Sequence, residues 1–151
     1  MLLGLAALIL WPAPADRGRA AFFKDASYNF EAVRVLNDVA AAGGDSGEAL
    51  QAIALVKGGD AESWYAAWLA AGDRTLARSQ HTNDAQSRGD ALLRAHTYYR
   101  SAEFFLSPDD ARRSDTYRKN VAAFYQGLDA RGVVYERSAI AYGSHHLSAV
   151  Y

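Results

Sequence analysis

Cysteine is absent from all 151 residues, which excludes a disulfide framework and a thiolate metal site and leaves the redox compartment unmarked. Neither charge sign is in excess: 16 Lys and Arg face 17 Asp and Glu for a net charge of -1. No basic stripe is present to neutralise phosphates, so nucleic acid is not an expected partner. No apolar run approaches the roughly 20 residues that a bilayer span needs, so no membrane partner is expected. No internal repeat recurs at a period of about 20 to 50 residues, which argues against a solenoid. The strand-to-helix elbow Gly-x-Ser-x-Gly is also missing, so this chain by itself should not hydrolyse esters by the serine route that the elbow serves.

What is present suits one packed core. Half of the residues are hydrophobic, and 3 Trp, 9 Tyr and 6 Phe make an aromatic-rich set able to fill a helical core or to line an apolar cleft. Leu2 to Trp11 is apolar and runs into Pro12-Ala13-Pro14-Ala15, a loose match to a secretory leader with an Ala-x-Ala cleavage site, although no Lys or Arg precedes it. Residues 1–21 are therefore read as an apolar leader or unstructured start. The expected location is cytoplasmic, with a secreted or periplasmic protein as the alternative if residues 1–15 are a signal.

Five helices follow. The first is expected after Asn29 as cap, with Glu31 in its first turn and Phe30, Val33, Leu36 and Ala40 as its apolar face, ending at Gly43-Gly44. Asp45 should cap the second, with Glu48 three residues on, ahead of Leu50, Ile53 and Val56; Lys57-Gly58-Gly59 closes it. Asp60 opens the third, where Trp64 and Trp68 share a face. The fourth should run from Ser87 to Leu106. Its stripe of Leu92, Ala95, Tyr99, Ala102 and Leu106 is widened by Tyr98 and Phe105, the pattern of a central helix. Ser107-Pro108-Asp109-Asp110 reads as the start of the fifth, with Tyr117, Val121, Phe124 and Leu128 on one face and Arg131-Gly132 at its end. From Val133 the period becomes extended: Val133 to Tyr142 and His146 to Tyr151 predict two strands joined through Gly143-Ser144.

Candidate chemistry is sparse. Ser46, within Gly44-Asp45-Ser46-Gly47, superficially resembles a nucleophile segment but lies at a helix start, where capping accounts for it. His145 and His146 are adjacent on a strand and so point to opposite faces, a poor arrangement for one metal ion. His81 and His96 lack ligand partners at a helical zinc spacing. Asp109-Asp110 reads as a solvated helix start, and the Arg112-Arg113 and Arg118-Lys119 pairs as a solvated face. No metal or other cofactor is expected. Trp64, Trp68, Tyr98, Tyr99, Phe104 and Phe105 are either core packing or, in part, the lining of an apolar pocket.

An ordered set of motifs carries a resemblance. Phe30-Glu31, the run Gly43 to Glu48, the run Gly59 to Trp68, Ala91 to Ala95 and Tyr98 to Leu106 together resemble the N-terminal helical region of a family of α/β-hydrolases. That family includes the fungal yellowish-green pigment hydrolase that shortens a polyketide chain, 2,6-dihydroxypseudooxynicotine hydrolase, and dipeptidyl-aminopeptidase-like esterases. The resemblance implies a mainly α fold: a five-helix cap domain over residues 22–132, then a C-terminal β-hairpin over residues 133–151 that would begin an α/β-hydrolase sheet. Tyr142-Gly143-Ser144 stands where the family has a Tyr-Glu-Gly turn. The nucleophile, acid, histidine and oxyanion loop of the family have no counterpart here, so no catalytic residue carries over. What carries over is the cap, with Trp64, Trp68, Tyr98 and Phe105 as pocket or cap-interface candidates for a hydrophobic small-molecule substrate. The remaining hydrolase domain is the implied partner, and self-association is expected of the chain alone. The competing reading is a stand-alone tetratricopeptide-like binding module, which would have no use for the hairpin.

Overall fold

The structure, a computed structural model, describes residues 21–38 and 43–151. The leader reading, apart from Ala21, and the placing of Ala40 lie outside the described residues. Among the described residues five α-helices are followed by an antiparallel hairpin: α1 Ala26–Asp38, α2 Ser46–Leu55, α3 Ala61–Gln80, α4 Ala85–Ala102, α5 Arg112–Ala130, β1 Arg137–Tyr142 and β2 His145–Val150. A 3-10 turn, Glu103–Phe105, continues α4. The mainly α fold ending in a hairpin is as expected.

The caps explain most helix starts. Asp45 accepts from the Glu48 amide at 2.9 Å, Asp60 from Glu62 and Ser63, and Asp84 from Ser87 at 2.7 Å. Each satisfies amides that lack a partner within the helix. Three starts differ from expectation. α1 begins before Asn29, because Asp25 takes the amides of Ser27 and Tyr28 at 2.9 and 3.0 Å. Asn29 instead accepts from the Phe22 amide at 2.7 Å and so ties the incoming chain to the helix. α4 begins at Ala85 under its Asp84 cap, two residues before Ser87. α5 begins beyond Ser107-Pro108, which form a separate turn closed by the Asp110 amide on the Ser107 carbonyl. The end of α5 is as its sequence suggests. Gly132 has φ +66°, its amide bonds to Asp129 and that of Val133 to Leu128, the pairing of a Schellman motif.

α4 is the central helix, packed between α3 and α5. Its stripe of Leu92, Ala95, Tyr98, Tyr99, Ala102 and Leu106 is buried. The faces of three neighbours are rotated from their apolar spacing. In α1 the buried residues are Tyr28, Glu31, Ala32 and Val35, while Phe30 and Val33 are exposed. In α2, Ala49, Ala52 and Ile53 turn inward and Leu50 outward. In α5 the face against α4 is Thr116, Asn120, Ala123 and Gly127, while Tyr117 is exposed and Val121, Phe124 and Leu128 flank the contact.

Close approach is the reason for the small residues on α5. A Cβ on Gly127 would lie 2.9 Å from Leu93, and one on Gly89 would lie 3.0 Å from the Gly127 carbonyl. On the other flank a Cβ on Gly72 would lie 2.6 Å from the buried Tyr99 ring. We expect Gly72→Ala to lower stability by about 1–2 kcal/mol in urea denaturation, the overpacking cost outweighing the gain in helix propensity. An unchanged or raised midpoint would show that α3 and α4 can separate without loss.

Candidate functional site

Of the sequence-predicted aromatic residues, Trp64, Trp68, Tyr98 and Phe105 meet in one cluster with Tyr28 of α1, while Tyr99 packs in a second cluster with Ala95 and Ala123. Tyr28 stacks on Phe105 with centroids 4.1 Å apart and the rings nearly parallel. Trp64 meets Phe105 edge-on at 4.9 Å, and Trp68 lies 5.7 Å from Trp64 and 5.8 Å from Tyr98. These are the spacings of favourable offset and edge-to-face pairs. Trp64, Trp68 and Tyr98 are 0% exposed. The Trp64 indole donates to the Ser101 carbonyl at 2.7 Å, which pins α3 to the end of α4. Among the described residues the indole nitrogen of Trp68 has no hydrogen-bond partner. Only Phe105 among the four candidates reaches the surface, where it lines an open groove of about 390 Å³ with Ala26, Ser27, Phe30, Glu31 and Phe104. The exposed Phe104 ring is covered on one side by the Arg34 guanidinium, 5.4 Å from its centroid.

Glu48, expected to act locally three residues after the Asp45 cap, is the polar centre of the fold. It accepts the Tyr98 hydroxyl at 2.9 Å and Arg94 at 3.2 Å, and it is ion-paired with Arg78. One carboxylate thus joins α2, α3 and α4. The same Tyr98 oxygen accepts the Asp45 amide at 2.9 Å. Burial, together with the hydrogen bond to Glu48, raises the Tyr98 phenol well above its ordinary value. Its neighbour Tyr99 points the other way and donates to Asp73 at 2.8 Å, where Lys119 of α5 also binds at 2.9 Å. The only sequence signal for this network was Glu48 three residues after a cap, which suggested a local capping role rather than partners on two other helices.

At the outer end of α3, Arg112 makes two 2.7 Å bonds to Glu62, binds Asp110, and lies 4.6 Å above the Tyr65 ring. Hydrogen bonds from Arg112 hold the Asp110 carboxyl at about 2. The pair Arg112-Arg113, expected to be a solvated face, is instead tied inward: Arg113 donates to the carbonyls of Glu103 and Leu106 at 3.1 and 3.0 Å. Among the described residues no group of three or more His, Asp or Glu is gathered as a metal site. Ser46 lies in the first turn of α2 with no histidine among its hydrogen-bond partners in the described residues.

Removing the Glu48 carboxylate leaves Tyr98 and Arg94 without their common acceptor. Glu48→Ala should cost about 2–3 kcal/mol of stability, measured by urea denaturation; a cost near zero would mean that solvent replaces it freely. Burial, the largest cause, lowers the His96 pKa below its ordinary 6.5, against a weaker opposing contribution from Asn120. The unfolded chain therefore takes up this proton first, and stability should fall as pH drops below about 6.5 until the folded pKa is passed. His96→Gln should remove that part of the slope, and a histidine NMR titration with a midpoint at or above 6.5 would contradict it.

No protein-family model matches the chain. Among curated proteins, it is 38% identical over 117 residues to the hydrolase acrC of Aspergillus aculeatus, a match covering 72% of this chain and 26% of that protein. It is 36% identical to the 20-hydroxy-prefusarin hydrolase FUS2 of Gibberella moniliformis, over 68% of this chain and 26% of that protein. It is 32% identical to the α/β-hydrolase psoB of Aspergillus fumigatus, over 72% of this chain and 26% of that protein. The chain spans about a quarter of the length of the curated relatives it matches. The proteins it resembles are thus named hydrolases and α/β-hydrolases, and the likeness extends over about 70% of this chain and about a quarter of each of them.

Proposed function

We propose that residues 22–132 are the cap domain of a serine α/β-hydrolase and that residues 133–151 begin its sheet, the cap supplying an apolar wall to the substrate pocket. The hairpin carries this reading. The cross-strand pair Ile140 and Leu147 shares one face with Tyr142, and all three are more than half exposed, at 54%, 52% and 68%. An apolar face of that kind suits a sheet in which further strands and layers cover it. The relatives' names, all hydrolases, point the same way.

The substrate-facing surface in this reading is the groove of Phe30, Phe104 and Phe105, with the sealed Trp64, Trp68 and Tyr98 as its rigid backing. Rigid backing matters because a wall that selects a substrate must not collapse when the site is empty. A hydrophobic small molecule fits the lining, since excluding water there strengthens attack by an activated serine on a carbonyl whose oxyanion is held by backbone amides. Those reacting groups belong to the remainder of such a hydrolase, and no residue of this chain takes a catalytic role. The five helices, from 10 to 20 residues long, do not form the equal pairs that a tetratricopeptide array stacks.

In the complete hydrolase, Phe104→Ala should raise KM for an apolar substrate about tenfold with kcat little changed, the loss of roughly one ring's apolar contact. An unchanged KM would count against the groove as a substrate wall. Residues 1–151 alone should show no serine-dependent turnover of activated esters, and Ser46→Ala should leave that baseline where it is. Turnover abolished by Ser46→Ala would overturn the assignment.

A further inference from the structure

Between the end of α5 at Ala130 and the start of β1 at Arg137 there is no regular structure, and Val134 in that connection is 97% exposed. A two-stranded hairpin is marginal by itself, so its direction relative to the helices needs an independent restraint. Two periodicities provide one. Tyr125 and Asp129 lie four apart on α5 and so share a face. Tyr135 and Arg137 lie two apart on an extended chain and so share a side. The extension is set by the Glu136 backbone, which exchanges hydrogen bonds with Tyr151 at 2.8 and 3.2 Å.

The two pairs meet. The Tyr135 ring stacks on Tyr125 with centroids 5.6 Å apart at 28°, and its hydroxyl donates to Asp129 at 2.9 Å. The Arg137 guanidinium lies 4.0 Å above the same Tyr125 ring. A single contact would leave a swivel, whereas contacts spaced along both elements fix a direction. Tyr125, Asp129 and Arg137 also form one end of an open groove of about 490 Å³ that runs along Tyr117 and Val121, so the shape of that groove follows from the same contacts.

We propose that Tyr125, Asp129, Tyr135 and Arg137 form a clasp that sets the angle at which the hairpin leaves the helical unit. They are positioning residues: in the cap reading they aim the cap over the hydrolase sheet, and that consequence rests on the reading above. The clasp itself can be tested without any activity, so a failed cap assignment would leave the result standing.

The absence of cysteine makes a distance measurement direct. Spin labels on Ala77→Cys in α3 and Ser144→Cys in the hairpin turn would report the angle by pulsed electron spin resonance. The clasp predicts a narrow distance distribution in the otherwise unchanged chain. Tyr135→Ala with Arg137→Ala should broaden it about twofold or more, with helical circular dichroism and the cross-strand Ile140–Leu147 contact retained. Tyr135→Phe with Arg137→Lys keeps a ring and a cation but drops the bond to Asp129, and should recover most, not all, of the narrowing. A distribution already broad before substitution, or one unmoved by the alanine pair, would overturn the proposal. So would loss of strand pairing in the alanine variant, because the contacts would then be holding the strands together rather than aiming them.

Discussion

Two consecutive buried tyrosines on α4 set the terms for the rest of the structure. Neighbours on a helix cannot share a face, so burying both Tyr98 and Tyr99 requires protein on two flanks. A phenol taken out of water needs a hydrogen-bond acceptor. The fold meets that need with two carboxylates from different helices: Glu48 of α2 for Tyr98 and Asp73 of α3 for Tyr99. Each carboxylate recruits cations in turn, Arg78 and Arg94 at the first and Lys119 at the second. Helices α2, α3 and α5 are thereby tied around α4 at two points as well as through its apolar stripe.

The same arrangement separates core from candidate surface. Trp64 and Trp68 are sealed against Tyr98, and their cluster reaches the surface at its Phe105 end, where Phe30 and Phe104 extend it outward. A rigid aromatic interior ending in an apolar groove suits a unit that shapes a pocket while the chemistry is carried elsewhere. The polar networks serve the packing: Glu48, Asp73 and Arg112 have their partners in neighbouring helices and are occupied with holding the fold.

Much of this was legible in the sequence where the signal is local. Asp45 and Asp60 announced their helices, Gly132 ended α5, and Gly143-Ser144 made the hairpin turn, because each acts through bonds within a few residues. The α4 stripe was legible because a central helix is apolar wherever it is read. The outer helices were harder. Phe30 and Val33 have helical spacing yet face outward, since Tyr28 and Val35 define the buried side of α1. Tyr117 was misplaced for a related reason: α5 lies so close to α4 that only Thr116, Asn120, Ala123 and Gly127 fit between them. Nothing in a single sequence gives the distance between two helix axes. The pairing of Glu48 with residues 27 to 50 positions away is likewise a property of packing.

The proposed cap role turns on which way the Phe30, Phe104 and Phe105 groove faces. The most direct measurement is a structure of the complete hydrolase with its serine covalently blocked by an apolar acyl or phosphonate inhibitor. The cap reading predicts these three rings in van der Waals contact with the inhibitor's apolar arm and the hairpin continued by further strands. A groove open to solvent on the side away from the inhibitor would contradict it.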